Sequence, residues 1–159
     1  PNPYLFFEHK ALYRSHTEQV FDDYYTTEVG KAKIVSKGDD MTIVTYGMGV
    51  HWALDAQEKY DNTSIEIVDL RTLQPWDKET VKESVIKTNK VIVLHEDSIT
   101  GGIGAEISAW ISENCFENLD GPVLRVGGLD TPIPFRKELE DNFMPLDRLY
   151  RQISKLINY

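Results

Sequence analysis

The sequence has one cysteine, no apolar run of membrane-spanning length, and too few basic residues to balance its acids. The lone Cys115 excludes an intramolecular disulfide and suits a reducing compartment such as the cytoplasm. No stretch approaches the roughly 18–20 consecutive apolar residues that a bilayer-crossing helix needs. The opening PNPYLFFEHK is too short and too acidic at its end to read as a signal peptide. Lys and Arg number 17 against 26 Asp and Glu, a formal charge of −9. Such a surface repels phosphate backbones, which argues against nucleic-acid binding and favours a basic protein partner.

Several catalytic signatures are missing too. There is no Gly-x-Ser-x-Gly elbow to present a serine nucleophile. His9, His16 and His51 are scattered without metal-ligand spacing. No internal repeat and no low-complexity tract interrupts the chain. Its 159 residues, 41% hydrophobic and 27% charged, fit one soluble domain with a real core.

What is present is an alternation of short apolar runs with amphipathic stretches. KAKIVSKG and MTIVTYG read as two strands joined at Gly38-Asp39-Asp40, an expected antiparallel hairpin at one end of the sheet. Val50, Ala53, Leu54 and Gln57 recur at helical spacing, and SIEIVDL is a further strand. QPWDKETVKESVIKTN opens a helix with Asp77 as N-cap and Glu79 in the first turn. KVIVLHE is nearly all apolar and so buried on both faces. Ile103, Ile107, Trp110, Ile111 and Cys115 form one helical stripe, with Cys115 an inert core residue. PVLRVGG is the last strand. Leu146, Leu149, Tyr150, Ile153, Leu156 and Ile157 line one face of a closing helix. This order predicts an α/β fold of three layers, α/β/α, around a mixed but mostly parallel sheet.

Residues 1–30 stand apart. Tyr4-Leu5-Phe6-Phe7 reads as a buried strand, and the polar, aromatic-spotted run to Gly30 as a linker ordered by its tyrosines and phenylalanines. The chain opens without a start methionine, which suggests a piece of a longer polypeptide.

The loop in LHEDSITGGIGAEI raises the question of a phosphate cradle. Gly102 and Gly104 fit the first part of a dinucleotide fingerprint, but Ile107 takes the place of its third small residue. No lysine follows to make a P-loop. The glycines Gly101, Gly102 and Gly104 therefore read as a tight turn against a neighbouring surface. His95 and Glu96 sit at the exit of a buried strand, where α/β folds place ligands, yet adjacent strand residues face opposite ways. They do not form a direct acid–base couple, and the residues alone reveal no self-contained active site.

Four segments together, FFEHKALYRS, VDLRTLQPWDKETV, LHEDSITGGIGAEI and GPVLRVGGLDTPIPFRKELEDNFMP, resemble the second half of the β subunit of thiamine-diphosphate-dependent 2-oxoacid dehydrogenases. The resemblance covers essentially the whole chain. It implies the transketolase C-terminal fold with a five-stranded mixed sheet at residues 31–159. Residues 1–30 would then be the end of a preceding pyrimidine-binding domain and the interdomain linker. The full enzyme would decarboxylate a 2-oxoacid oxidatively and pass the acyl group to a lipoyl carrier. Thiamine diphosphate and Mg would be held there by residues outside this chain, which itself would supply no catalytic or cofactor-binding residue.

The resemblance further implies an interface loop of His95, Gly101, Gly102 and Gly104 near the active-site entrance of the assembled enzyme. Asn2 matches one ligand of a structural monovalent cation such as K+. Asp120 and Tyr159 match a surface that docks the acyltransferase component through its basic binding domain. The implied partners are the rest of the β subunit, an α subunit or fused equivalent, and a second copy in a homodimer, with neither nucleic acid nor membrane among them. EQVFDD departs from the family, where a Val-Pro step is expected. Two alternatives stand beside this reading: a transketolase-type enzyme domain of another branch, and a stand-alone acidic adaptor.

Overall fold

The computed structural model describes Pro3, Leu5 and every residue from Phe7 to Tyr159. The expected strand over Tyr4–Phe7 falls mostly outside the described residues, as does Asn2. The elements in chain order are α1 (Leu12–Ser15), β1 (Lys33–Ser36), β2 (Met41–Thr45), α2 (Met48–Lys59), β3 (Ile65–Asp69), α3 (Lys78–Thr88), β4 (Val91–Ser98), α4 (Gly104–Asn114), a 3-10 turn at Phe116–Asn118, β5 (Leu124–Gly128), α5 (Lys137–Phe143) and α6 (Leu146–Ile157).

Five strands form one mixed sheet in the order β1-β3-β2-β4-β5. Only β1 runs antiparallel to its neighbour. Alternation along the strands divides the core into two layers. Met41, Ile43, Ile65, Ile67, Ile92 and Leu94 meet Ala53 and Ala56 of α2 and Leu149, Ile153 and Leu156 of α6. Val44, Val68, Val91 and Val93 meet Val81 and Val85 of α3, with Ile107, Ile111 and Cys115 from α4 and its end. Each fully buried aliphatic side chain contributes about 1.5–3 kcal/mol, so these two layers dominate the stability of the domain.

The expected β1–β2 hairpin is corrected. β1 pairs with β3, matching Lys33 to Asp69 and Ile34 to Val68, and β2 lies on the far side of β3, parallel to it. All five residues of β2 are buried, which demands a neighbour on each side and a helix on each face, whereas β1 is largely exposed and suits an edge. The Gly38-Asp39-Asp40 turn crosses the start of β3 instead of folding back. A Cβ on Gly38 would lie 2.2 Å from the Ile65 carbonyl carbon. The Asp40 carboxylate accepts from the Ser64 amide at 2.7 Å, and the Ser64 carbonyl accepts from the Asp40 amide at 2.9 Å.

Asp77 caps α3 as expected. Its carboxylate accepts from the Thr80 amide at 3.2 Å and hydroxyl at 2.8 Å, and from the Ala32 amide at 3.1 Å, which ties the linker's end to the helix start. Burial works against the charged form, but these donors and Lys31 outweigh it and hold the Asp77 pKa low.

The linker is not ordered by its aromatic residues. Phe21, Tyr24 and Tyr25 are exposed. Its attachments are mostly polar: His9 to Glu96, and the Gly30 amide donating to the Thr72 hydroxyl at 2.9 Å. Phe21 and Tyr25 meet each other edge to face, with ring centroids 5.8 Å apart.

Candidate interface and glycine-loop site

The end of β4 and the loop that follows it build a closed arrangement around His95. The imidazole has no solvent exposure. Gly102, Gly104 and Gly127 pack against it so closely that a Cβ would come within 2.8, 2.3 and 2.7 Å of ring carbons, respectively. Gly101 turns the loop with a φ of +81°, a conformation that glycine adopts without steric cost. The Gly102 carbonyl then accepts from the Ala105 amide at 3.0 Å as α4 begins. The glycines are required because a ring occupies the space their side chains would take.

Among the described residues, no hydrogen-bond partner stands at either ring nitrogen of His95. Burial, assisted by the positive charge of Arg125, pushes its pKa below the ordinary histidine value; the nearby Asp97 backbone and carboxylate oppose this without prevailing. His95 is thus a neutral, packed residue at pH 7.

The loop is fastened to the end of β5. The Asp130 carboxylate accepts from the Thr100 amide at 3.0 Å and hydroxyl at 2.7 Å. Arg125 donates to the Ile99 carbonyl at 2.9 Å, and the Ile99 amide donates to the Gly128 carbonyl at 3.0 Å. The hydrogen bonds from Thr100 lower the Asp130 pKa. These contacts make the loop a fixed surface feature.

Glu96 faces away from His95. Its carboxylate lies 2.9 Å from His9 Nε2, so the strand end and the linker are joined here, a contact that no sequence motif signals. Beside it a cleft of about 360 Å³ is lined by Tyr46, Glu96, Asp97, Ile133, Phe143 and Met144. Burial, with Asp97 and Glu96 nearby, raises the Tyr46 pKa, so its phenol stays protonated.

Asp120 and Tyr159 come together at the opposite end of the sheet. The Asp120 amide donates to the Asn89 carbonyl at 2.8 Å. Its neighbour Gly121 lies under Tyr159, where a Cβ would sit 3.2 Å from Cγ. Both side chains are exposed. His16 and His51, remote in sequence, have ring centroids 3.5 Å apart. Among the described residues no cluster of three or more His, Cys, Asp or Glu could hold a metal ion. On the side of Gly102 and Gly104 where a side chain would begin, the loop is filled by the imidazole of His95.

A five-stranded sheet with one antiparallel edge, helices on both faces and a glycine loop packed on a buried histidine defines a three-layer α/β domain. Residues 30–148 match the family described as "Transketolase, C-terminal domain", and the chain belongs to that family. It is similar to 2-oxoisovalerate dehydrogenase subunit beta of Bacillus subtilis, with 44% identity across 90% of this chain and 45% of that protein. The mitochondrial 2-oxoisovalerate dehydrogenase subunit beta of Dictyostelium discoideum is 48% identical across 99% of this chain and 43% of its own length. A pyruvate dehydrogenase E1 component subunit beta of Staphylococcus aureus is 38% identical across 91% of this chain and 45% of its own. Among solved structures, a split-gene transketolase in an inactive β4 tetramer superposes with a TM-score of 0.72 and 27% identity, over 91% of this chain and 47% of that one. The chain spans a little under half the length of these relatives.

Proposed function

We propose that this chain serves as the C-terminal, assembly-forming half of the β-type subunit of a 2-oxoacid dehydrogenase decarboxylating component. Residues 31–159 are the assembly domain and residues 1–30 the connection to a preceding pyrimidine-binding half. The observation that carries this reading is near-complete coverage of the chain by dehydrogenase β subunits at 38–48% identity. The whole enzyme binds thiamine diphosphate and Mg through residues outside this chain, decarboxylates the 2-oxoacid and transfers the acyl group to lipoyl. The higher identity to 2-oxoisovalerate relatives supports a branched 2-oxoacid as the substrate.

In that assembly the loop of His95, Gly101, Gly102 and Gly104 is a contact surface near the active-site entrance. The domain pairs with its own copy and with the α subunit, and Asn2 contributes to a K+ site. Asp120 and Tyr159 form part of an acidic face for the basic binding domain of the acyltransferase, and their proximity supports that role. The single cysteine and acidic charge are consistent with a cytoplasmic location. No helix among the described residues is long and apolar enough to cross a membrane.

The test is a chimera in which residues 1–159 replace the matching half of the Bacillus subtilis subunit beta, expressed with that organism's α subunit. Assembly with 2-oxoisovalerate turnover is the expected result. A chimera whose transplanted domain is folded but which neither assembles nor turns over contradicts the reading.

A further inference from the structure

The linker and the domain meet at a pair of histidines. His16 directly follows α1, and His51 lies in the first turn of α2. Their rings are in face contact, with centroids 3.5 Å apart and planes tilted by 34°. The Ser15 hydroxyl lies 2.8 Å from His16 Nδ1 and helps fix that ring. A groove of about 540 Å³ runs alongside, bordered by Glu18 from the linker, Lys33 from β1 and Asp69 from β3.

We propose that His16 and His51 form a pH-released clasp, which holds the middle of the linker on α2 while the rings are neutral and frees it when both are protonated. Two neutral imidazoles in contact attract by dispersion. Two imidazolium ions at 3.5 Å repel, even at the dielectric of water, by enough to shift an equilibrium about tenfold.

The surrounding charges decide whether that state is reached. Glu18 from the linker, Asp55 from α2 and Asp69 from β3 favour protonation, and Lys33 from β1 opposes it. Burial of His51 and the charge of His16 nevertheless prevail and lower the His51 pKa. The second proton is therefore resisted while the linker is docked and accepted once it leaves.

The linker's ends respond differently. Upstream, His9 Nε2 is joined to the Glu96 carboxylate at 2.9 Å. Downstream, the amides of Gly30 and Ala32 are bound to Thr72 and Asp77, neither of which titrates near neutrality. Acidification thus frees the middle, where Phe21, Tyr24 and Tyr25 are exposed, while both ends stay tied. This inference does not depend on the proposed dehydrogenase role.

Hydrogen exchange by mass spectrometry on the 159-residue chain, corrected for intrinsic rates, tests it. Amide protection over residues 12–20 should fall about tenfold between roughly pH 7.5 and 5.5. His16→Phe keeps a ring in the stack but removes the charge repulsion and leaves only the burial of His51, so the pH dependence of its linker protection should be clearly smaller than in wild type; His51→Gln should leave the linker unprotected at both values. Wild-type protection that is absent or flat with pH, or a pH response as large in His16→Phe as in wild type, overturns the clasp. His16 lies outside the core, so the Phe variant remains informative even if His51→Gln disturbs α2.

Discussion

Gly104 and His95 are locked against each other: a Cβ at position 104 would lie 2.3 Å from the ring's Cδ2 and 2.4 Å from its Nε2. The relationship explains why the loop after β4 is glycine-rich although no nucleotide fingerprint is complete. Gly104→Ala should destabilise the domain by about 1–3 kcal/mol through overpacking. His95→Ala removes the obstructing ring, so the double variant should be more stable than the sum of the single effects implies, with a coupling of at least about 1 kcal/mol. Urea denaturation of the four proteins measures this; additive effects would dissociate the glycine from the histidine.

The buried imidazole also sets an acid limit. The unfolded chain takes up the His95 proton near pH 6.5, while the folded chain does so only at lower pH. Stability is therefore unaffected by this group well above pH 6.5 and falls as pH drops through that value, levelling off below the folded-state pKa. His51 acts in the same direction. Asp77 and Asp130, whose pKa values are held below the ordinary 3.8, lose their contribution only in stronger acid. Melting temperature should decline between about pH 7 and 5, and His95→Asn should flatten that slope. An unchanged slope in the variant would place the acid sensitivity elsewhere.

Much of the fold was legible because local patterns dictate local structure. The all-buried β2, the apolar run of β4 and the Asp77 cap each follow from residue types within a few positions. Strand order did not, since adjacency of β1 and β2 in sequence says nothing about β3 inserting between them. The loop glycines were readable as a tight turn, but not the ring that fills them: Gly127 reaches His95 from a different strand. Nor could the His16–His51 contact be read, because neither histidine sits in a spaced motif and the pairing depends on how the linker crosses α2.

At the other end of the sheet, Asp120 and Tyr159 offer a face that should be sensitive to charge. Asp120→Lys should weaken binding of the acyltransferase's basic domain roughly five- to tenfold at low salt, mainly through the association rate, with little effect on melting temperature. Removal of the exposed ring in Tyr159→Ala should weaken it as well. The difference between parent and variant should shrink as salt rises. Equal binding by both variants across a salt series would move the docking face to another part of the domain.

The central claim is that this chain supplies assembly surface and no cofactor cradle. Calorimetric titration of the 159-residue chain with thiamine diphosphate in the presence of magnesium tests it most directly. The expected trace shows only heat of dilution, because the loop glycines before α4 are packed on His95 and no metal-binding cluster exists among the described residues. Saturable binding with a micromolar dissociation constant would contradict it.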